Sequence, residues 1–193
     1  MRTFHDMTLG VVILTGGAGA RMGADKAALD WGGARAVDRL ADLARTLGAT
    51  AIVSAGPRDY GLPIAAEDPP GGGPAAGIVA GARALGGCTR ILALAVDAPT
   101  LTVEDLAPLL TAPAPGAAYE GLHLPLVFDP AALPADAGAG WPMGRLVERA
   151  SLARLPVPAE AAARLRGANT PEERQDLLRR LVTGDSAQEG GAA

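Results

Sequence analysis

The sequence is poor in cysteine and in aromatic residues. Its 193 residues include one cysteine, Cys88, and only two each of phenylalanine, tryptophan and tyrosine. A single cysteine excludes an internal disulfide, which is consistent with a reducing compartment. Apolar residues still make up 49% of the chain, with alanine abundant among them. We therefore expect a folded globule whose core is built from alanine, leucine and valine, with close packing between elements in place of stacked rings.

Long apolar segments and basic clusters are also missing. No stretch approaches the roughly 18 apolar residues of a membrane helix, and the opening MRTFHDMT leads into an apolar run too short for a secretory signal. The formal net charge is −4, and no basic stripe with interleaved aromatics is present. These absences argue against membrane insertion, secretion and nucleic-acid binding. We expect a cytoplasmic protein.

Strand and helix patterns alternate along the first half of the chain. Short apolar runs that end in glycine, proline or aspartate indicate buried strands, and between them apolar residues recur at helical spacing. The predicted strands cover residues 9–14, 50–54, 63–66 and 90–96, and the predicted helices cover residues 34–47, 77–85 and 102–110. This alternation predicts an α/β fold with a right-handed, mostly parallel sheet.

The pattern is weaker in the second half. A strand is predicted at 122–128, where Pro125 indicates an edge position, and helices are predicted at 143–150 and 171–181. Residues 184–193, GDSAQEGGAA, have nothing to bury and are predicted to form a disordered tail. We therefore expect a single domain over residues 1–183.

The segment LTGGAGARMGADK, from Leu14 to Lys26, carries most of the functional information. Its closely spaced glycines let the backbone turn tightly and present N–H groups to an anion, and Arg21 and Lys26 add two cations. The segment follows a buried strand, at the edge where open α/β sheets bind ligands. It fails the G-x-G-x-x-G fingerprint because Met22 takes the third position, and it lacks the G-K-[ST] ending of a P-loop. It is either a phosphate-binding loop or a flexible loop with incidental charges.

Three other segments supply candidate site residues. Asp97 directly follows the strand at 90–96, so it is either a Mg²⁺ ligand at the ligand-binding edge or a turn cap. The segment DPPGGGPAAG, which begins at Asp68, either approaches a flat ligand closely at Gly73 or forms a rigid surface turn. The segment NTPEE, which begins at Asn169, is a helix start with Thr170 as its N-cap.

The glycine-rich segment resembles the signature of the molybdenum cofactor guanylyltransferases, L-[AT]-G-G-x-[SG]-x-R-M-G-x-D-K, at every fixed position. VDAP at 96–99, the segment at 68–77 and NTPEE at 169–173 resemble further family segments. The resemblance implies a single-domain, Rossmann-like nucleotidyltransferase fold with helices on both faces of the sheet. It implies transfer of a nucleoside monophosphate, with GTP as the favoured donor, to a phosphate on the pterin cofactor, with release of pyrophosphate. Mg²⁺ is the implied cofactor, and a molybdoenzyme or delivery protein is an implied partner.

The resemblance also implies roles for individual residues. It makes Lys26, Arg21 and Asp97 catalytic, assigns the metal to Asp97, and places Asn169 near the metal and the pyrophosphate. The nucleotide-binding residues that it implies are Leu14, Thr15, Gly16, Gly17, Gly19, Lys26, Asp68, Gly73 and Asp97.

The chain departs from the family pattern in the later segments. Gly56 stands where family members that read guanine often carry an asparagine, and the usual carboxylate before N-T-P is missing from residues 164–168. An extra residue follows His123 in the family's H-P-L motif, which favours a structural role for His123. Arg145 and Arg149 share a predicted helix face, which meets either an anionic acceptor or solvent.

These departures leave two alternatives open. One is a cytidylyltransferase or a sugar-phosphate nucleotidyltransferase of the same fold, because the loss of an amide at Gly56 removes a group that reads the base. The other is a nucleotide-binding module without turnover, because the late carboxylate is missing.

Overall fold

The computed structural model describes residues 8–16 and 25–188, with side chains described through Thr183. In this part of the chain, seven strands form one sheet in the order β3-β2-β1-β4-β6-β5-β7. The strands are β1 (Leu9–Leu14), β2 (Ala51–Ala55), β3 (Ile64–Ala65), β4 (Arg90–Ala95), β5 (Gly116–Tyr119), β6 (Leu126–Phe128) and β7 (Ala153–Leu155). The α-helices are α1 (Ala36–Thr46), α2 (Pro74–Ala84), α3 (Val103–Leu110), α4 (Met143–Arg149), α5 (Ala162–Arg166) and α6 (Pro171–Gln188).

The sheet has a parallel half and a mixed half. β1 pairs in parallel with β2 and β4, and β2 pairs in parallel with β3. β6 runs antiparallel to both β4 and β5, and β7 is parallel to β5. The carboxyl ends of β1, β2, β3 and β4 therefore lie at one edge of the sheet, where the predicted site residues follow them.

Helices cover both faces of the sheet. Val11 and Ile13 of β1 pack into a core with α1, α3, α5 and α6, whereas Val12 and Leu14 pack into a second core with α2 and α4. Because neighbouring residues of a strand point to opposite faces, a strand that is buried along its whole length must be covered on both sides. The predicted fold class, a mostly parallel α/β sheet with helices on both faces, is confirmed.

The packing follows from the scarcity of large side chains. α2 approaches β1 so closely that a Cβ atom at Gly81 would lie 2.3 Å from a methyl carbon of Val12. Among the described residues, the largest fully buried side chains include three aromatics, Trp31, Tyr119 and Phe128. Close approach of small residues thus takes the place of ring packing, as the composition led us to expect.

The strands of the second half differ from the sequence prediction. β6 begins at Leu126, one residue after Pro125, and lies between β4 and β5. The predicted edge position is therefore wrong, because a proline ahead of the strand occupies no place in the hydrogen-bonded ladder. Strands β5 and β7 were not predicted, since they are only three or four residues long and lack a clear alternation.

Two helix boundaries also differ. α2 begins at Pro74, three residues before the predicted start, because proline is well suited to the first helical turn. α6, predicted to end at residue 181, ends at Gln188, within the segment 184–193 that was predicted to be a tail, and residues 189–193 lie outside the described part. No helix in the described ranges is long and apolar enough to cross a bilayer.

Candidate active site

The end of the glycine-rich segment meets the segment that precedes α6. Lys26 opens a short 3₁₀ turn, and its Nζ donates to Asn169 Oδ1 and to the Ala168 carbonyl oxygen, each at 3.3 Å. Lys26 is the only lysine in the chain; every other basic side chain apart from histidine is an arginine. The structure thus joins two residues that the sequence analysis assigned to the site from separate motifs.

Asp97 lies beside this pair, directly after β4. The backbone N–H of Ala168 donates to the Asp97 carbonyl oxygen at 2.7 Å, so the two segments are in direct contact. Burial raises the pKa of the Asp97 carboxyl above its ordinary value, and the nearby Lys26 ammonium opposes that rise. A carboxylate, an ammonium and a side-chain amide therefore gather at the edge where β1 and β4 end.

The segment before Asn169 is held in place by a tight turn and an ion pair. Gly167 adopts a φ of +68°, and a Cβ atom there would lie 2.3 Å from the Asp97 carbonyl oxygen. Upstream, Arg164 donates to both carboxylate oxygens of the buried Asp105, at 2.6 and 2.7 Å. The stretch in which the family's carboxylate is missing therefore carries an arginine that fixes α5 to the start of α3.

Asp25 ties the turn of Lys26 to the turn after β2. Its carboxylate caps the backbone N–H of Ala27 at 3.1 Å and accepts from the Tyr60 hydroxyl at 2.9 Å and from Arg58 at 2.8 Å. Burial alone would raise the pKa of Asp25, but these hydrogen bonds outweigh it and hold the pKa below its ordinary value. Burial and the Asp25 carboxylate together raise the pKa of Tyr60 to about 12.

The turn after β2 lies directly against the residues that follow β1. The backbone N–H groups of Thr15 and Gly16 donate to the Ala55 carbonyl oxygen at 2.8 and 3.2 Å. A Cβ atom at Gly56, where φ is +155°, would lie 2.3 Å from Thr15 Oγ1 and 2.7 Å from the Gly16 nitrogen. No side chain fits at position 56 with this backbone, so an asparagine at this place would require the turn to move.

The segment from Asp68 to Gly73 lies at the same edge, but the side chain directed inward is that of Glu67. Glu67 Oε2 accepts from the Gly71 N–H at 3.0 Å, whereas Asp68 is exposed and has no hydrogen bond or ion pair within the described ranges. Gly73 precedes α2 with a φ of +90° and open space at its Cβ position. Glu67 was not among the predicted site residues, although its position next to Asp68 is a signal that the sequence contains.

Three predicted site residues lie outside the described part of the chain. They are Gly17, Gly19 and Arg21. The two ends of the glycine-rich segment are described, namely Leu14 to Gly16 and Asp25 to Lys26. The first end lies against the turn after β2, and the second lies against Asn169.

A second group of side chains lies where β6 begins. Because β6 is antiparallel to β4, the turn before it, which carries His123, lies at the edge where β4 ends. The exposed His123 lies beside α4, because a Cβ atom at Gly144 would lie 3.4 Å from its Cε1 atom. On the same helix the Arg145 guanidinium stacks 4.0 Å from the centre of the Trp141 ring, and Arg149 lies 3.5 Å from Asp136. The Gly140 N–H donates to the Gly72 carbonyl oxygen at 3.0 Å, so the exposed cations of α4 follow a segment that lies beside the turn before α2.

A cavity of about 250 Å³ opens beside the charged group. Lys26, Asp97 and Asn169 line one part of it, and Leu29, Trp31 and Val96 line another. Binding sites for whole ligands usually span about 300–1,000 Å³, so this cavity suits a part of a substrate rather than all of it.

The chain is similar to known proteins over most of its length. The sequence model of the family described as "MobA-like NTP transferase domain" matches residues 11–169. A molybdenum cofactor guanylyltransferase of Xanthomonas euvesicatoria pv. vesicatoria (strain 85-10) is 31% identical over 186 residues, which cover 86% of this chain and 93% of that protein.

Solved structures share the fold. The crystal structure of molybdopterin-guanine dinucleotide biosynthesis protein A from Archaeoglobus fulgidus superposes with a TM-score of 0.66 at 18% identity, covering 90% of this chain and 99% of that one. The 2-C-methyl-D-erythritol 4-phosphate cytidylyltransferase of Thermus thermophilus superposes with a TM-score of 0.58 at 16% identity, covering 90% of this chain and 98% of that one. At such identities the two superpositions show the fold alone.

Proposed function

The chain belongs to the MobA-like NTP transferase family, and we propose that it is a Mg²⁺-dependent nucleotidyltransferase that transfers GMP from GTP to a phosphate of the molybdenum–pterin cofactor. The observation that carries the proposal is the meeting of Lys26, Asp97 and Asn169 at the ends of the strands that flank the glycine-rich segment. The match to a guanylyltransferase over 86% of the chain supports the donor and the acceptor.

The reaction is an in-line displacement at the α-phosphorus. An oxygen of the acceptor phosphate forms the new P–O bond, and the bond to the leaving pyrophosphate breaks. The acceptor phosphate is already anionic near neutral pH, so no side chain needs to remove a proton from it. The chain has to position the two phosphates and stabilise the charge that moves to the pyrophosphate.

Lys26 is suited to that charge stabilisation. Asn169 Oδ1 and the Ala168 carbonyl oxygen orient its ammonium toward the cavity edge, and the remaining N–H donor of the ammonium is left for a phosphate oxygen. We assign the same role to Arg21 and to the backbone N–H groups of the glycine-rich segment. Leu14, Thr15 and Gly16, with Gly73 of the α2 start, are proposed to line the nucleotide.

The residues present fit a Mg²⁺ ion that is shared with the substrate. Among the described residues, no three histidine, cysteine or acidic side chains form a metal-binding group. Mg²⁺ commonly binds one or two carboxylates and completes its shell with substrate phosphates and water. Asp97 would hold the ion, with Asn169 as the nearest additional oxygen donor. When bound, the ion would neutralise charge on the phosphates.

A cytidylyltransferase is the second candidate within the class. The observation in its favour is Gly56, because no amide side chain fits there to read guanine. The same fold serves a cytidylyltransferase in Thermus thermophilus. Comparing GTP with CTP as donors separates the two.

Substitution of the charged pair tests the assignment of roles. In Lys26→Ala and Asp97→Ala, we expect GMP transfer to fall by at least about 100-fold, since preorganised charge stabilisation is a large contribution to catalysis. The measurement is formation of the cofactor dinucleotide by mass spectrometry, with melting curves to establish that each variant is folded.

Arg83→Ala and Asp42→Ala are the matched controls, because both residues lie on helix surfaces away from the site. They should keep the rate of the unmodified chain. Transfer at near-normal rates by either site variant would contradict the roles given to Lys26 and Asp97.

A further inference from the structure

The segment Asp30–Trp31 borders the charged group of the candidate site. It follows the 3₁₀ turn that begins at Lys26, and Trp31 lines the same cavity as Lys26, Asp97 and Asn169. Only 2% of the Trp31 surface is exposed. One buried residue therefore lies beside three side chains that come from distant parts of the chain.

An arginine of α1 ties this segment to the turn after β4. Arg39 donates through Nη1 to the Trp31 carbonyl oxygen at 3.3 Å and through Nε to the Pro99 carbonyl oxygen at 3.1 Å. Both acceptors are backbone groups, so the contacts hold the chain itself rather than a side chain. Because Pro99 lies two residues after Asp97, Arg39 fixes the segment relative to the strand end that carries Asp97.

A second arginine ties the segment to α6. Arg174 donates to the Asp30 carbonyl oxygen, and its guanidinium carbon lies 5.5 Å from the centre of the Trp31 ring. The Lys26 ammonium joins the same two parts of the chain, because it donates to Asn169 Oδ1 at 3.3 Å. Two separate contacts between two segments restrict a rotation that a single hydrogen bond would allow. Arg174 therefore helps to determine how the Lys26 ammonium meets Asn169.

Folding stability alone does not explain this polar pair. Within the described ranges, the Trp31 Nε1 and Arg174 Nε nitrogens are buried and have no hydrogen-bond partner. A buried donor without a partner lowers stability, and an apolar side chain of similar length would avoid that cost. Native proteins accept such costs mainly at functional sites. The geometry of the neighbouring site therefore accounts for the pair better than packing does.

We propose that Arg174 is a positioning residue, which acts through the Asp30 carbonyl oxygen and the Trp31 ring to hold the Lys26 ammonium against Asn169. This inference rests on the proposed nucleotidyltransferase function and adds a residue that no motif of the sequence marks. Arg174 contacts no reacting phosphate in this role. Its effect on turnover comes from the placement of Lys26, since a displacement of about 1 Å at a catalytic group can lower the rate about 100-fold.

The kinetics of an apolar variant test the effect on turnover. Arg174→Met keeps a long side chain over the Trp31 ring, and it removes both the hydrogen bond to Asp30 and an unpaired donor. We expect kcat for GMP transfer to fall about tenfold to 100-fold, the KM for GTP to change little, and the melting temperature to be retained. Arg180→Met is the matched control on the exposed face of α6 and should leave kcat unchanged. An unchanged kcat in Arg174→Met would overturn the proposal.

Further variants separate positioning from a general loss of structure. If Arg174 acts through the contact between Lys26 and Asn169, Arg174→Met should cause no further loss of kcat in a chain that already carries Asn169→Ala. Losses that multiply in the double variant would overturn the proposal. Trp31→Leu should reproduce the loss of kcat, and Trp31→Phe should lose less because it keeps an aromatic face for the guanidinium. Equal losses in the two Trp31 variants would contradict the role of the ring.

Lys26 can also be observed without turnover. It is the only lysine in the chain, so protein grown with lysine labelled with ¹³C at Cε gives one side-chain signal in an NMR spectrum. When the ammonium is held, the two protons on Cε have different surroundings and give two frequencies, whereas a freely rotating side chain gives one. We expect two frequencies in the unmodified chain and in Arg180→Met, and one in Arg174→Met. Two frequencies in Arg174→Met, or one in the unmodified chain, would overturn the proposal.

The NMR measurement distinguishes this inference from the proposed function. If no triphosphate yields pyrophosphate with the unmodified chain while the two frequencies merge in Arg174→Met but not in Arg180→Met, the proposed turnover fails and the positioning role of Arg174 stands. If pyrophosphate is released normally and the two frequencies persist in Arg174→Met, the positioning role fails and the proposed turnover stands.

Discussion

At the scale of single residues, the role proposed for Asp97 requires a charge that lowers the stability of the folded chain. Burial beyond β4 raises the pKa of its carboxyl above the ordinary value of 3.8, and the Lys26 ammonium offsets only part of that effect. When the pKa of a carboxyl is higher in the folded than in the unfolded state, its ionisation lowers the free energy of unfolding. The resulting loss of stability is complete above the folded pKa and disappears as the pH falls below the unfolded pKa.

Removal of this charge should therefore stabilise the protein in the absence of substrate. We expect Asp97→Asn to melt above the unmodified chain at pH 7.5 by a few degrees, since 1 kcal/mol corresponds to about 2–4 °C for a domain of this size. The difference should shrink as the pH is lowered toward 4. Calorimetric melts across this range, with Asp42→Asn as an exposed control, make the measurement. A variant that melts lower than the unmodified chain at pH 7.5 would contradict the assignment of an ionisation penalty to Asp97.

The candidate site residues could be predicted from the sequence only where a motif marks them. Lys26 ends a signature, Asp97 ends an apolar run and Asn169 precedes a capped helix, so each stands at a recognisable position. Glu67 does not stand at such a position, because nothing in the local sequence distinguishes the carboxylate of Glu67 from that of Asp68. The contact between Lys26 and Asn169 joins positions 143 residues apart, and nothing local in the sequence encodes it.

At the scale of elements, the turn after β2 and the turn of Lys26 form one connected unit. Asp25 caps the 3₁₀ turn and accepts from Arg58 and Tyr60, while the Tyr60 carbonyl oxygen accepts from Arg35 just before α1. The carboxylate carries its charge at neutral pH, since these hydrogen bonds lower its pKa. The position of the Lys26 backbone therefore depends on a turn that lies more than 30 residues further along the chain.

Removal of the Tyr60 hydroxyl should weaken the connection between the turn after β2 and the turn of Lys26. In Tyr60→Phe, Asp25 loses its Tyr60 donor, and we expect kcat/KM for the nucleotide to fall about tenfold because a hydrogen bond to a charged group contributes about 1.5–3 kcal/mol. Steady-state pyrophosphate release measures the effect.

Tyr119→Phe is the matched control for that change. It removes a buried hydroxyl that donates to the Asp105 carbonyl oxygen at 2.6 Å, away from the nucleotide turns. It should lower the melting temperature and leave kcat/KM unchanged. Equal kinetic losses in the two variants would indicate that Tyr60 has no specific effect on the turn of Lys26.

The elements of the parallel half could be predicted, and those of the mixed half could not. β1 and β4 are six-residue apolar strands, and their burial on both faces gives a strong local signal. β5 (GAAY) and β7 (ARL) are short and contain no β-branched residue, so their strand conformation depends on neighbours that are distant in sequence. β6 was misplaced because Pro125 was assigned to the strand rather than to the turn before it.

At the scale of the whole molecule, we propose that the two halves of the sheet carry different parts of the group transfer. The parallel half carries the glycine-rich segment and the turns around Gly56, Glu67 and Gly73, which we assign to the nucleotide. The mixed half brings the turn of His123 and the Trp141–Arg145 stack to the same edge. Asp97 follows β4, the strand at which the halves meet, so in the proposed reaction the two phosphates would meet beside Asp97.

The measurement that tests guanylyl transfer most directly is pyrophosphate release from GTP, CTP and ATP with Mg²⁺, in the presence and in the absence of molybdenum cofactor. We predict release from GTP alone, and only when the cofactor is present. Release from CTP in place of GTP would identify a cytidylyltransferase and contradict the proposed donor. Tight binding of a triphosphate without any release of pyrophosphate would contradict the proposed catalysis and identify a nucleotide-binding module.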